Sequence, residues 1–116
     1  MQYMLLIYED ERVYGGPEKT GPALQEMMAK HMAFAPTLGS ARKGGAGLKG
    51  TASATTVRGG NGKRMVRDGP FAETKEQLGG YYLVDVPDLD AAIAIANRLP
   101  LSPGGAVEIR PLLGGG

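Results

Sequence analysis

Two side chains of this sequence could carry acid–base chemistry, His31 and Asp68. His31 is the single histidine among 116 residues, and Asp68 begins the string Asp68-Gly69-Pro70 at the end of a predicted strand. An imidazole and a carboxylate can transfer protons near neutral pH when their surroundings tune their pKa values. We therefore take His31 and Asp68 as the candidate catalytic residues.

Each candidate also has a structural interpretation. His31 lies on the apolar stripe of a predicted helix, where it could be partly buried and bonded to a backbone carbonyl, paired with Asp68 as acid and base, or exposed on a kinked helix. Asp68 could accept hydrogen bonds from the turn that it starts, or project into a pocket from the strand end. The two roles of Asp68 are compatible.

The composition argues against several other kinds of site. With no cysteine, the chain can form no disulfide, thiolate metal site or iron–sulfur cluster, and we expect a cytoplasmic protein. The 13 basic and 12 acidic residues are balanced, so we expect no direct nucleic-acid contact. The short apolar start is cut off by charges after Tyr8, which indicates neither a signal peptide nor a membrane span.

No cofactor or metal motif is present in the sequence. The glycine-rich segment 44–47 lacks the helix that a dinucleotide loop requires directly behind it. One histidine and scattered carboxylates do not form a metal-ligand set. We therefore expect chemistry that needs neither a cofactor nor a metal.

The elements that position these side chains are those of a mixed α and β chain. The sequence has 19 glycines and 8 prolines, which argues against a helical bundle. Hydrophobic patterns predict strands at residues 1–8, 51–58, 63–68, 81–86 and 107–112. The first is expected to be buried on both faces, and the second and third form a hairpin around the glycine-rich turn 59–62. A polar connector with helical character should follow over 71–78.

Two amphipathic helices are predicted. The first begins at Gly21-Pro22 and should kink or break at Pro36, because proline lacks a backbone donor and crowds the preceding turn. The second begins after the N-cap Asp88 and is closed by Pro100. The stripe of the first helix is Leu24, Met27, Met28, His31, Ala35 and Leu38, and that of the second is Leu89, Ala92, Ile93, Ala96 and Leu99.

This order of elements indicates one domain over residues 1–116 with an α+β, ferredoxin-like architecture. Both helices would cover the same face of an antiparallel sheet, because each helix has one apolar side. The other face would hold apolar side chains that a second copy of the chain could bury. We therefore expect a homodimer.

The longest distinctive string runs from Asp68-Gly69-Pro70-Phe71 to Tyr82, and it closely resembles the YCII-related proteins. Within that family it is similar to the branch named for its Asp-Gly-Pro-Phe signature, the DGPF domain. The similarity extends over nearly the whole chain through the segments 3–8, 54–58, 84–90 and 107–111. The resemblance implies a dimeric ferredoxin-like α+β barrel, in which the sheets of two subunits meet around a cleft.

The resemblance also implies two alternative functions. A His and an Asp have been proposed as an acid/base dyad in the wider family, but the single histidine here lies inside the first helix and departs from that pattern. The fold and the absence of cofactor motifs still suggest a cofactor-independent enzyme acting on a small molecule, with Asp68 and His31 as acid and base. Some members of the branch are associated with alternative sigma factors, which suggests a non-catalytic small-ligand-binding or regulatory module linked to sigma-factor-dependent transcription. Contact between the two side chains would favour the enzyme, and separation across the sheet would favour the module.

Overall fold

A computed structural model describes residues 1–114 of the chain. These residues form a four-stranded antiparallel sheet, a separate two-stranded hairpin and two α-helices. The elements are β1 (Gln2–Glu9), α1 (Pro22–Phe34), β2 (Arg42–Gly47), β3 (Thr55–Arg58), β4 (Met65–Asp68), β5 (Gln77–Asp85), α2 (Leu89–Arg98) and β6 (Ala106–Pro111). The strand order β2-β5-β1-β6 and the two helices confirm a mixed α+β class with an antiparallel sheet.

The core lies between the two helices and one face of the sheet. Along β1, Tyr3, Leu5 and Ile7 are buried, whereas the residues between them are only partly buried. The prediction that this strand is buried on both faces is therefore wrong within one protomer, because both helices cover the same side. The helix side of the core consists of Phe34, Leu38, Ala92, Ile95 and Leu99.

Helix α1 begins at the predicted position and ends two residues before Pro36. It starts at Pro22 and ends at Phe34, after which the chain continues as a 3-10 helix over Ala35–Ala41. Gly39 has a φ of 57° inside that segment, so the helical path is interrupted there. The predicted break at Pro36 is confirmed, and its cause is the missing backbone donor of proline.

The glycine-rich segment after α1 is strand β2, although the sequence predicted a connection there. It occupies the sheet edge beside β5, while the β3–β4 hairpin forms its own ribbon. At Gly45, a Cβ atom would lie 3.0 Å from the Tyr81 carbonyl oxygen and 3.1 Å from the Tyr82 ring. Glycine thus allows the close approach of the two strands, and pairing with β5 outweighs its low strand propensity.

Helix α2 has the predicted cap and a different buried face. The Asp88 carboxylate accepts a hydrogen bond of 2.9 Å from the Ala91 backbone N–H, which confirms it as the N-cap. Ala92 and Ile95 are buried, whereas Leu89 and Ile93 of the predicted stripe are exposed. Packing on the sheet sets the rotation of this short helix, and the small Ala92 side chain allows a close approach.

The segment 71–78 between the arm and β5 differs from its prediction. The connector predicted with helical character contains no helix, and β5 already begins at Gln77. Over residues 1–114, no helix is both long and apolar enough to cross a membrane.

The β3–β4 ribbon, residues 55–68, forms an arm whose base is tied to the preceding loops. The Thr51 backbone N–H donates to the Glu11 carboxylate at 2.9 Å, and the Ala52 N–H donates to the Pro17 carbonyl at 3.1 Å. Gly50 is buried between these loops. These contacts set the direction in which the arm leaves the body.

We expect Gly50→Ala to destabilise the protein by about 1–3 kcal/mol, the usual cost of overpacking. The new Cβ atom would lie 2.0 Å from the Pro17 carbonyl oxygen, which the loop hydrogen bonds hold in place. Gly47→Ala is the matched control, because no heavy atom lies within 4 Å of its Cβ position. Urea denaturation measures both free energies of unfolding, and equal values for the two variants would contradict the account of the loop.

Candidate functional site

A cleft of about 820 Å³ lies between α1 and the part of the sheet formed by β2 and β5. This volume falls in the range of small-molecule sites in proteins. The predicted stripe of α1, except Leu38, lines this cleft, which explains why Met28 stays exposed although it belongs to that stripe. The residues from α1 and the segment after it are Leu24, Met27, Met28, His31, Met32 and Ala35.

His31 is paired with the hydroxyl group of Tyr82 in the wall of this cleft. The His31 Nδ1 atom lies 2.8 Å from the Tyr82 hydroxyl oxygen, and the two rings stack with centroids 5.8 Å apart. None of the three sequence interpretations of His31 included this partner. Strand β5 buries Tyr82 under the helices and leaves Tyr81 on the opposite face, because successive side chains of a strand alternate between faces.

Burial keeps both members of this pair neutral at neutral pH. It lowers the pKa of His31, although the charge of Glu9 and the Pro100 carbonyl oppose the shift. Burial also raises the pKa of Tyr82, against the charge of Arg42. The pair therefore offers an unprotonated imidazole nitrogen and a phenolic hydroxyl group in an apolar cleft.

Two neighbouring side chains hold the Tyr82 ring in place. Phe34 meets it edge-on, with centroids 5.8 Å apart, and the Arg42 guanidinium lies 5.9 Å from the ring centroid. The packing with Phe34 belongs to the hydrophobic core, whereas Arg42 lines the cleft. Packing in the core thus fixes the orientation of the Tyr82 ring, whose hydroxyl group is the partner of His31.

A buried carboxylate, Glu9, also lines the cleft. Its side chain is held by the Tyr14 hydroxyl, which donates at 2.9 Å, and by the Ser102 backbone N–H, which donates at 2.8 Å. Such bonds compensate a carboxylate that leaves water, and Glu9 is only 7% exposed. Burial, followed by the bond to Glu9, raises the pKa of Tyr14, which keeps its hydroxyl a donor.

Sequence reasoning missed Glu9, although a signal for it exists. It continues the alternation of Tyr3, Leu5 and Ile7 on the buried side of β1, and an acidic residue at such a position needs partners inside the fold. The charge that ends the apolar run was instead interpreted as the end of the strand. Extending the alternation of buried and partly buried positions along β1 past Tyr8 would have identified Glu9 as a buried residue.

Cationic groups border the same cleft. The Lys19 ammonium donates to the Leu48 carbonyl at 2.9 Å and to the Gly79 carbonyl at 3.3 Å, which orders the strand ends around the cleft. Arg42 and Lys49 also line the cleft. Together with the methionines, these groups suit a ligand that is largely apolar and carries a polar or acidic group.

The structure places Asp68 on the arm, at the end of β4. It lines a smaller cavity of about 360 Å³ with other residues of the arm and of the following turn, including Phe71. Among the described residues, no side chain lines both this cavity and the cleft that holds His31. The catalytic roles of His31 and Asp68 remain predictions.

Backbone groups and a threonine tie the turn that follows Asp68. The Gly69 N–H donates to the Ala54 carbonyl at 2.8 Å, and the Thr56 hydroxyl donates to the Gly69 carbonyl at 2.7 Å. The Gly69 backbone and the Thr56 hydroxyl group thus fix the turn to the neighbouring strand. Within residues 1–114, no group of three His, Cys, Asp or Glu side chains could hold a metal ion.

The fold and the cleft define a small α+β protein with a site of ligand size. The chain belongs to the YCII-related domain family, whose pattern it matches over residues 1–114. It is 39% identical to an uncharacterized protein of Rhizobium meliloti (strain 1021) over 118 residues, which cover 97% of this chain and 92% of the relative. The resemblance to the YCII-related proteins is thereby confirmed at the level of the family.

We expect the single imidazole to titrate below its usual pKa of about 6.5, which proton NMR of the His31 ring measures directly. The folded state then binds fewer protons than the unfolded state, so the stability that His31 contributes is present above pH 6.5 and is lost as the pH falls through the folded-state pKa. In His31→Gln, this part of the pH dependence should disappear. A His31 pKa above 6.5 would contradict the assigned environment.

Proposed function

We propose that this protein binds a small, largely apolar molecule in the cleft and transfers a proton through His31 without a cofactor. The observation that carries the proposal is the His31 Nδ1–Tyr82 hydroxyl contact of 2.8 Å in the wall of an 820 Å³ cleft. A neutral imidazole in an apolar site is a competent general base. The phenolic hydroxyl orients it.

The chemistry follows from the charges around the pair. In the tautomer whose Nδ1–H donates to the Tyr82 hydroxyl oxygen, His31 Nε2 carries the lone pair and takes a proton from an acidic C–H or O–H group of the ligand. The electron pair of that bond remains on the ligand as an anion. The charge of Glu9 favours the imidazolium that forms, since it raises the pKa of His31. Delivering the proton to another atom of the ligand completes an isomerisation, and delivering a solvent-derived proton to the original atom completes an exchange.

Asp68 is the second catalytic residue of the proposal. It stands at the end of β4, and it begins the Asp-Gly-Pro-Phe string. This string supports membership of the DGPF branch within the family. Within one protomer, His31 and Asp68 line different cavities, which counts in favour of the non-catalytic alternative. The enzyme proposal therefore depends on His31 first, and Asp68 is tested separately.

The proposed assembly is a homodimer of ferredoxin-like subunits that forms an α+β barrel. The order β1-α1-β2-β5-α2-β6, with the arm inserted before β5, supports the ferredoxin-like architecture. On the sheet face opposite the helices, Met4, Leu6 and Leu83 are only partly buried. Burial of this face against a second copy supports the dimer.

The alternative is a non-catalytic ligand-binding or regulatory module, linked to sigma-factor-dependent transcription. The composition of the cleft wall favours this alternative, because Met27, Met28 and Met32 of α1 all line the cleft. Methionine side chains adapt to ligands of different shapes, as binding modules require. In this alternative, the His31–Tyr82 pair only orients the ligand.

Hydrogen–deuterium exchange of two small carbon acids, phenylacetone and 1-phenylbutane-1,3-dione, tests the proposal. The wild-type protein should bind them, which shifts the NMR signal of His31, and should accelerate the exchange of their acidic C–H groups. Replacing the base should lower the catalysed rate by about 100-fold or more in His31→Gln. Asp68→Asn tests the second proposed residue in the same assay.

Leu89→Gln is the control, because Leu89 is exposed on α2 and lines neither cavity. It should leave binding and exchange unchanged. Binding without accelerated exchange would favour the regulatory module, and an unshifted His31 signal with both compounds would argue against the proposed ligand class. A wild-type rate in His31→Gln would remove His31 from the mechanism.

A further inference from the structure

The buried carboxylate in the wall of the cleft has one oxygen atom that the fold itself does not use. The Glu9 Oε2 atom accepts from the Tyr14 hydroxyl and from the Ser102 N–H, whereas Oε1 accepts no hydrogen bond from residues 1–114. Within the same residues, Glu9 also forms no ion pair. Buried carboxylates are normally paired or fully hydrogen-bonded. The Oε1 atom therefore lacks a donor that a bound molecule can supply.

Lys19 brings an ammonium group to the same part of the cleft. Its Nζ atom donates to the Leu48 and Gly79 carbonyls, which uses two of its three N–H groups. The backbone of Lys19 has a φ of 53°, and among residues 1–114 it is the one non-glycine residue with a positive φ. Backbone strain of this kind concentrates at ligand-binding and active sites. The third N–H group of Lys19 remains available to an acceptor on a ligand.

Gly79 leaves a space that both groups reach. A Cβ atom at this position would lie 3.3 Å from Lys19 Nζ and 3.9 Å from Glu9 Oε1. Glu9, Lys19 and Gly79 all line the cleft. One acceptor and one donor thus converge on a small space in its wall.

The two charges select the kind of ligand group that fits this space. The Lys19 ammonium repels a ligand cation, and the Glu9 carboxylate repels a ligand anion. A neutral group that both donates and accepts satisfies the two side chains together. A hydroxyl group does so through a single oxygen atom, which suits two groups that converge on one point.

We propose that Glu9 and Lys19 form a subsite for the hydroxyl group of a largely apolar alcohol, phenol or enol. The ligand O–H donates to Glu9 Oε1, and its oxygen accepts from Lys19 Nζ. The apolar part of the ligand lies along Leu24, Met27 and Met28 of α1, which line the same cleft. Resting on the proposed binding of a small apolar molecule, this subsite does not depend on proton transfer by His31.

Two compounds that differ only in the donor test the subsite, 2-naphthol and its methyl ether, 2-methoxynaphthalene. At pH 7 the naphthol is neutral, because phenolic pKa values lie at about 10. Isothermal titration calorimetry measures both dissociation constants. The wild-type protein should bind 2-naphthol at least tenfold more tightly, since the ether leaves the buried Oε1 atom without a donor. Naphthalene-2-carboxylate should bind more weakly than 2-naphthol, because Glu9 repels it.

Glu9→Gln turns the acceptor of the subsite into a donor. The Tyr14 hydroxyl and the Ser102 N–H hold the amide oxygen at the Oε2 position, so the amide nitrogen replaces Oε1. The preference for 2-naphthol over the ether should then fall below twofold. Glu26→Gln is the matched control, because it removes the same charge from an exposed position of α1 outside the cleft. It should keep the wild-type preference.

Gly79→Ala tests the subsite by filling its space. Its Cβ atom meets no heavy atom closer than 3.3 Å, and that atom is the end of the flexible Lys19 side chain. We expect at least tenfold weaker binding of 2-naphthol. Gly44→Ala is the control, because its Cβ atom would meet only Leu83 Cβ at 3.9 Å and Gly44 does not line the cleft. It should change binding less than twofold.

Far-ultraviolet circular dichroism verifies that each variant is folded, and Gly79→Ala decides the matter if Glu9→Gln is not. Equal binding of 2-naphthol and its ether by the wild-type protein would overturn the subsite. A retained preference in folded Glu9→Gln, unchanged binding in Gly79→Ala, or tighter binding of naphthalene-2-carboxylate would do the same. If neither naphthol nor ether binds while phenylacetone shifts the His31 signal, only the hydroxyl subsite fails. If none of these compounds binds, the proposed function fails with it.

Discussion

The packing of the Tyr82 ring is the constraint on which both the core and the cleft depend. The ring is buried at the centre of the sheet, contacts Phe34 edge-on and stacks on His31, to which its hydroxyl group is also bonded. One aromatic side chain thus supplies apolar area to the core and a polar tip to the cleft. Moving α1 relative to the sheet would break the packing with Phe34 and the bond to His31 together.

The cleft exists because α1 packs on the sheet only through its last turn. Phe34, with Leu38 in the following 3-10 segment, enters the core, whereas Leu24 and Met27 near the start of the helix face the open space. The chain turns at Pro36 and Gly39 and returns as β2, whose glycines add little bulk to the floor of the cleft. Apolar side chains left in contact with water in this way favour a ligand that removes them from it.

Local signals predicted most of the elements, and long-range packing decided the rest. The cap at Asp88, the break at Pro36 and the hairpin turn at 59–62 act through nearby backbone groups, so the sequence alone indicates them. Strand β2 has no local signal that indicates a strand. Its stability comes from pairing with β5, which lies far away in the sequence, as the pair Gly47 and Gly80 shows. The buried faces of α2 and the partner of His31 likewise depend on how helices rest on the sheet.

The sequence by itself determined the α+β class, the two helix starts and the family, because these depend on short-range patterns and on one long motif. It also singled out His31 as a chemically capable residue. Only the tertiary structure decided that His31 meets Tyr82, that Glu9 is a buried carboxylate in the same cleft, and that Asp68 lies on the arm. Those relations join residues far apart in the chain, and the packing of α1, the loops and the arm against the sheet sets their distances.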